Sequence, residues 1–136
     1  MTDAGKPGLN PFKIEEFQVP VEHGDPALDG AGLSWRTLLS ADRTPTSEVS
    51  AGTCELQPGG ELKMHRHPTL EVYYFLEGEG VVRLGTGDIP VKPGSTVSIP
   101  RDAPHGIRNT GTTLLKLFYA FPTDSFADVQ YTMLES

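Results

Sequence analysis

The sequence predicts an all-β fold, a sandwich or barrel of short strands, on three observations. Its 15 glycines and 12 prolines are spread along 136 residues, as tight turns between many short strands require. Between those turns lie short runs that alternate apolar and polar side chains, or are apolar throughout, as in Glu71 to Glu77. The turns recur closely enough to give hairpin after hairpin, which is the spacing of a sandwich or barrel in one domain. A chain of this length can bury a workable core, and it contains no internal repeat.

Taken in order, residues 1–11 carry Gly5, Pro7, Gly8 and Pro11 and are expected to form a flexible tail, leaving 12–136 as the single domain. Phe12 to Val19 alternates loosely and reads as an edge strand, and Pro20 to Gly32 as a loop that also holds His23. Leu33 to Leu39 resumes a strand, with Trp35 as a packing anchor and a ligand-stacking wall as the alternative. Glu48 to Gln57 alternates around Cys54, which reads as a small buried residue, and turns at Pro58, Gly59 and Gly60 into Glu61 to His67. Glu71 to Glu77 is apolar on both faces beyond its first residue, as expected inside a barrel wall. Gly78 to Gly80 turns the chain into Val81 to Leu84, and Gly85 to Gly87 reverses it into Asp88 to Lys92. Ser95 to Ile99 follows, and Thr112 to Phe121 places Leu115, Leu117, Tyr119 and Phe121 on one face. Pro122 to Asp124 ends that strand and caps a short helical turn before Val129 to Leu134.

The formal charge of −7 argues against a nucleic-acid or anionic membrane partner. The sequence has no run of 18 apolar residues and no basic-plus-apolar leader, so a soluble, unexported protein is expected. A lone cysteine excludes an internal disulfide and fits a reducing cytoplasm.

Three of the four histidines fall at spacings that suit one transition-metal site. His65 and His67 stand two apart on a strand, so both imidazoles point to one face. Glu71 follows after a bend at Pro68 and Thr69, and His105 arrives from a second Gly- and Pro-punctuated segment, Gly94 to Asn109. Imidazole with carboxylate is the ligand mix of Fe, Mn, Ni, Co and Zn rather than of Ca or Mg. Four protein ligands on a six-coordinate ion leave two positions for substrate, water or O₂. Tyr73 shares strand parity with Glu71, so its hydroxyl faces the same cavity, where a phenol beside a divalent cation can act as a general base. Lys63 shares parity with His65 and can meet a substrate carboxylate, and Tyr119 and Tyr131 are further candidates for the pocket wall. Arg66 and Arg108 have parity opposite to the neighbouring ligands and read as structural or surface groups.

These residues carry a family resemblance. The pattern G-x5-H-x-H-x3-E-x6-G of the cupins is met by Gly59, His65, His67, Glu71 and Gly78. Their second motif, G-x5-P-x-G-x2-H-x3-N, is met by Gly94, Pro100, His105 and Asn109, with Asp102 in place of the second glycine. That glycine serves a turn with positive φ, which Asp tolerates better than most residues. The resemblance covers roughly residues 33 to 121 and implies a cupin double-stranded β-helix (jelly-roll) barrel with one divalent metal ion on its inner wall. Small cupins commonly pair, which implies a homodimer, with Phe12 to Val19 available to cover a partner's sheet edge.

A narrower resemblance is to the small cupin dimethylsulfoniopropionate lyases, carried by Phe118 to Tyr131 and by Pro58 to Leu62. It implies three histidines and a glutamate as metal ligands, here His65, His67, His105 and Glu71. It also implies a tyrosine two residues beyond the glutamate, Tyr73, as the base that removes the proton α to the carboxylate and expels dimethyl sulfide. The same ligands also serve Fe(II) dioxygenases, and a non-enzymatic small-molecule-binding cupin or a metal-dependent isomerase stays open beside the lyase reading.

Overall fold

The computed structural model describes residues 10–25 and 29–134. Among the described residues, ten strands form two antiparallel five-stranded sheets. The first sheet takes β1 (Leu33–Leu39), β2 (Ser50–Leu56), β9 (Leu115–Phe121), β4 (Glu71–Glu77) and β7 (Thr96–Ile99), in that spatial order. The second takes β10 (Thr132–Met133), β3 (Glu61–Arg66), β8 (His105–Arg108), β5 (Gly80–Leu84) and β6 (Gly87–Val91). Successive strands such as β3 and β4 lie in different sheets, so the chain winds between the two layers as a jelly roll. The expected all-β jelly-roll barrel is therefore the observed fold.

Strand parity fills the core. In β9, Leu115, Leu117, Tyr119 and Phe121 all point inward and are buried, while Phe118 points out. Register then sets inward residues side by side across the first sheet: Thr37, Gly52, Tyr119, Tyr73 and Val97 form one row from β1 to β7. Trp35, Cys54, Leu117 and Phe75 form the next row. The motif positions shape the turns around this core. Asp102 has φ of 62°, so the departure from glycine sits in the left-handed region foreseen for it. Gly78 has φ of 83°, and a Cβ there would lie 2.2 Å from the Leu114 carbonyl oxygen. Asn109 is buried and donates from Nδ2 to the carbonyls of Leu56 and Thr113, both at 2.8 Å, tying the loop before β9 to β2.

Several elements differ from the sequence expectation. Phe12 to Val19 is not a strand: Glu16–Gln18 forms a single 3-10 turn. Side-chain anchors override the weak alternation, because Glu16 accepts from Thr53 Oγ1 at 2.6 Å and from Lys116 Nζ at 2.8 Å on the outer face of the first sheet. The route to a homodimer by edge pairing of that segment falls with the strand. Residues 1–9 of the expected tail lie outside the described residues, and Asn10 and Pro11 are exposed. Strand β2 starts only at Ser50, since Glu48 takes a left-handed φ of 73°. The outward residues of β4, Val72, Tyr74 and Leu76, are exposed rather than enclosed, because no further layer covers them. The short helical turn near the C-terminus is Phe126–Asp128, capped by Ser125 through a capping box with Asp128, not by the residues just after β9. Among the described residues no helix is long and apolar enough to cross a membrane.

The N-terminal strap continues past Glu16 to a β-bridge between Glu22 and Trp35 and to a charged anchor. Glu22 accepts from both terminal guanidinium nitrogens of Arg43, at 2.8 and 3.1 Å, and from Thr37 Oγ1 at 2.8 Å. Arg43 first, against the cost of burial, lowers the Glu22 pKa below its ordinary value of 4.5. A carboxyl with a lowered folded pKa stabilises above its unfolded pKa and loses that contribution as pH falls through the folded one. Glu22→Gln is therefore expected to lower Tm by about 3 °C at neutral pH, the scale of a partly exposed ion pair. Thermal melts across pH should show the gap between parent and variant closing below the carboxylate range.

Candidate metal centre

Three imidazoles converge between the sheets. His65 lies on β3 directly opposite His105 on β8, and His67 lies just beyond the end of β3. All three are buried, and one ring nitrogen from each lies within 4.8 Å of the others. Each Nδ1 donates to a backbone carbonyl two residues away: His65 to Lys63 at 2.7 Å, His67 to Thr69 at 2.7 Å and His105 to Ala103 at 2.8 Å. A carbonyl only accepts, so each Nδ1 keeps the proton and each Nε2 presents a lone pair. Glu71, the first residue of β4 and also buried, sets Oε1 3.1 Å from His67 Nε2 and 3.4 Å from His105 Nε2. Lone pairs and a carboxylate facing one another in a buried space require a positive charge among them, a proton or a metal cation. His105 Nε2 has no hydrogen-bond partner of its own. The donor set thus fits a transition metal ion.

The protonation of this cluster follows its surroundings. Burial, reinforced by the neighbouring His105, lowers the His65 pKa from 6.5 to about 4, which keeps that ring neutral near pH 7. Burial works the same way on His67, but the Glu71 hydrogen bond and charge outweigh it and raise His67 overall.

The bulge in β3 builds the site. Leu62 pairs with Ile107 and His65 with His105, so Lys63 and Met64 together face only Gly106. A Cβ on Gly106 would lie 2.7 Å from the Leu62 carbonyl oxygen, so only glycine lets the bulged backbone come this close. The extra residue switches parity: Leu62 and His65 both face the cavity, and Lys63 is not on its lining. The expectation that Lys63 points with His65 is corrected on this ground. Instead, the Lys63 carbonyl orients the His65 ring.

A cavity of about 210 Å³ opens beside the cluster, lined at one end by His65, Glu71 and Tyr73. Its walls are mostly apolar, with Leu33, Leu62, Ile107 and Leu117 among them, and among the described residues no lysine or arginine lines it. Tyr73 and Tyr119, direct partners across β4 and β9, are buried in this wall, and neither hydroxyl closes a well-formed hydrogen bond, although Glu71 stands near that of Tyr73 and Thr37 near that of Tyr119. Burial first, then the charge of Glu71, raises the Tyr73 phenol well above its ordinary range. Tyr131 packs its ring 5.2 Å from that of His65 and 5.4 Å from that of His67, forming the outer wall. Trp35 also lines the cavity with its indole N–H unpartnered, so the packing anchor is a cavity wall as well. Cys54 is buried and lines the same space. Arg108 points outward and lies 3.7 Å from Glu61, and His23, on an exposed stretch of the strap, is not on the lining.

Seven lining residues escaped the sequence reading: Leu33, Ile107 and Leu117 in the aliphatic wall, and Asp29, Leu62, Phe126 and Met133. Asp29 comes from the Pro20 to Gly32 stretch, whose sequence has no periodicity, and Leu62 is reached only through the bulge. Phe126 and Met133 belong to a C-terminal segment that crosses the cavity, where β10 pairs with β3 at His65 and Arg66. The signal available for that crossing was the short helical turn followed by a renewed apolar run.

A jelly roll that gathers an HxH pair, a glutamate and a third histidine on its inner wall defines a cupin. The cupin domain family matches residues 52–121, and this chain belongs to it. Among its relatives, the chain is 32% identical over 126 residues to dimethylsulfoniopropionate lyase DddW of Ruegeria pomeroyi, covering 93% of this chain and 82% of that one. Among solved structures, the polyketide cyclase RemF of Streptomyces resistomycificus superposes with a TM-score of 0.78 at 19% identity, over 93% of this chain and 87% of that one. A predicted oxalate decarboxylase of Thermotoga maritima superposes with a TM-score of 0.73 at 25% identity, over 82% and 99%.

Burial also pushes the Cys54 thiol far above its ordinary range, with Glu71 and Glu55 adding to the shift. The thiolate is the reactive form. Native protein at pH 8 is expected to resist iodoacetamide over hours, while protein in denaturant is alkylated once; intact-mass spectrometry reads both.

Proposed function

We propose that this chain is a divalent-metal-dependent lyase of a small carboxylate, and that its reaction is β-elimination of dimethylsulfoniopropionate with Tyr73 as the base. The observation that carries the reading is the Tyr73 hydroxyl: buried, closing no well-formed hydrogen bond, and in the wall of the cavity that also exposes Glu71 and His65. The 32% identity to a dimethylsulfoniopropionate lyase supports the same choice.

In this reading His65, His67, Glu71 and His105 hold one Fe, Mn, Ni, Co or Zn ion. When bound, the ion polarises the substrate carboxylate and offsets the effects that keep the Tyr73 phenol protonated. Tyr73 Oη takes the proton from the α-carbon. The C–H electron pair becomes the new C=C bond, and the C–S pair leaves on sulfur, releasing dimethyl sulfide and acrylate. The aliphatic wall excludes water from the reacting carbons. The aromatic faces of Trp35, Tyr119, Tyr131 and Phe126 suit a sulfonium cation, and the absence of a lining lysine or arginine among the described residues spares it like-charge repulsion.

His67→Ala is expected to weaken metal affinity by about tenfold or more while leaving the circular dichroism spectrum unchanged. Metal analysis after gel filtration measures it, and full occupancy in the variant would remove His67 from the ligand set. Tyr73→Phe keeps ring, fold and metal but deletes the proton acceptor. Turnover is expected to fall roughly 10²-fold or more, the scale of a general base. The parent loaded with each metal in turn and given dimethylsulfoniopropionate without oxygen should release dimethyl sulfide. A reaction that stops without oxygen instead identifies a dioxygenase on the same ligand set.

A further inference from the structure

Outside the metal centre, Asp29 is the only charged side chain on the cavity wall among the described residues. It is half-buried, and no described lysine or arginine forms an ion pair with it. Its place is fixed by the backbone around it. The Asp29 N–H donates to the Asp25 carbonyl at 2.8 Å. Gly30, with φ of 102°, packs so closely on β3 that a Cβ there would collide with the Glu61 carbonyl oxygen. The Ala31 carbonyl in turn accepts from the Glu61 N–H at 2.9 Å. A Cβ on Gly24 would collide with Asp29 Oδ2, so glycine there clears the room that the carboxylate fills. Asp29 is thereby seated at the start of β3, while His65 lies four residues along that strand, at most about 13 Å away. Tyr131 lies between the two ends. Its ring stands 5.2 Å from that of His65, and burial first, then Glu71 and further neighbours that include Asp29, raise its phenol well above the ordinary range.

We infer that Asp29 is the specificity-determining residue of this cavity: its carboxylate receives the cationic end of a molecule whose own carboxylate faces the histidine cluster, and it turns away molecules that are anionic at both ends. A ligand that fills an apolar cavity expels water, and a carboxylate left in the wall then gains from a cation and loses from a second anion. The faces of Trp35 and Tyr131 in the same wall add to the attraction for a cation. A dicarboxylate finds no such help, because no described lysine or arginine lines the cavity to offset the repulsion from Asp29. This assignment rests on the lyase reading for which end of the substrate meets the histidines, and it adds the residue that recognises the other end.

Isothermal titration calorimetry on the zinc-loaded full chain tests this with three small acids. 3-(Trimethylammonio)propanoate and 4,4-dimethylpentanoate share one shape and differ by a single positive charge, while succinate carries a second negative one. The parent is expected to bind the ammonium compound about tenfold or more tightly than its neutral isostere, and succinate most weakly. Asp29→Asn should hold the Kd of the neutral isostere within about threefold, cut the preference for the cation about tenfold, and bind succinate better than the parent does. Asp29→Lys should invert the order. With dimethylsulfoniopropionate, Asp29→Asn is expected to raise KM about tenfold and leave kcat within about threefold. Unchanged zinc content and thermal melts separate lost selection from a lost site. A parent without preference between the isosteres overturns the inference, as does an Asp29→Asn variant that keeps the preference or weakens all three acids alike. Dimethyl sulfide release with the same KM in parent and Asp29→Asn overturns it while the lyase reading stands. A cation preference that Asp29→Asn abolishes, in a parent that releases no dimethyl sulfide, upholds it while the lyase reading falls.

Discussion

The hydrogen bonds from the three histidine Nδ1 atoms to backbone carbonyls are the constraint on which the site depends. Each carbonyl belongs to a residue two positions before or after its histidine, so the backbone path alone fixes the tautomer and the ring plane. With the outer nitrogens committed, three lone pairs have only the interior to face, and Glu71 closes the group from the neighbouring sheet. Leaving those acceptors buried and uncompensated would cost several kcal/mol. The barrel core around them, tight along the rows of the first sheet, holds the strands in the register that makes the convergence possible.

That convergence links the two sheets chemically as well as by packing. His65 and His105 come from the second sheet, and Glu71 and Tyr73 from the first. The side chains that meet at this junction come from different layers, so the spacing between layers sets the distance between them. The N-terminal strap and the C-terminal segment act on the same spacing. The strap is tied to the first sheet through Glu16 and Glu22. The C-terminal segment spans from Ser125, which shares hydrogen bonds with Ser40 and Asp42, to β10 on the second sheet.

Much of this was legible before any coordinates. Strand parity places Leu115, Leu117, Tyr119 and Phe121 together, and the two His/Gly/Pro motifs bring His65, His67, His105 and Glu71 together between the sheets. Asp102 takes the left-handed conformation its position in the second motif required. The rest was hidden because it arises from tertiary contacts rather than local pattern. The bulge that turns Lys63 away exists because β8 offers a glycine opposite it, and a period-two reading of β3 cannot contain it. The strap folds as a turn because Thr53 and Lys116, far along the chain, capture Glu16. Asp29 reaches the cavity from a stretch of sequence with no periodicity to read. The exposed outer face of β4 looked like barrel interior because sequence registers apolarity, and does not say which layer will cover it.

Gly106 carries no functional group, yet its missing side chain decides where an imidazole points. The bulge that depends on it sets the direction of His65 and brings the Lys63 carbonyl to its ring. Changes to the cavity wall at the partly exposed Leu33 act on shape alone. Position 106 belongs to the scaffold, and randomising it would shift the three-histidine cluster through the main chain while every histidine stayed in the sequence.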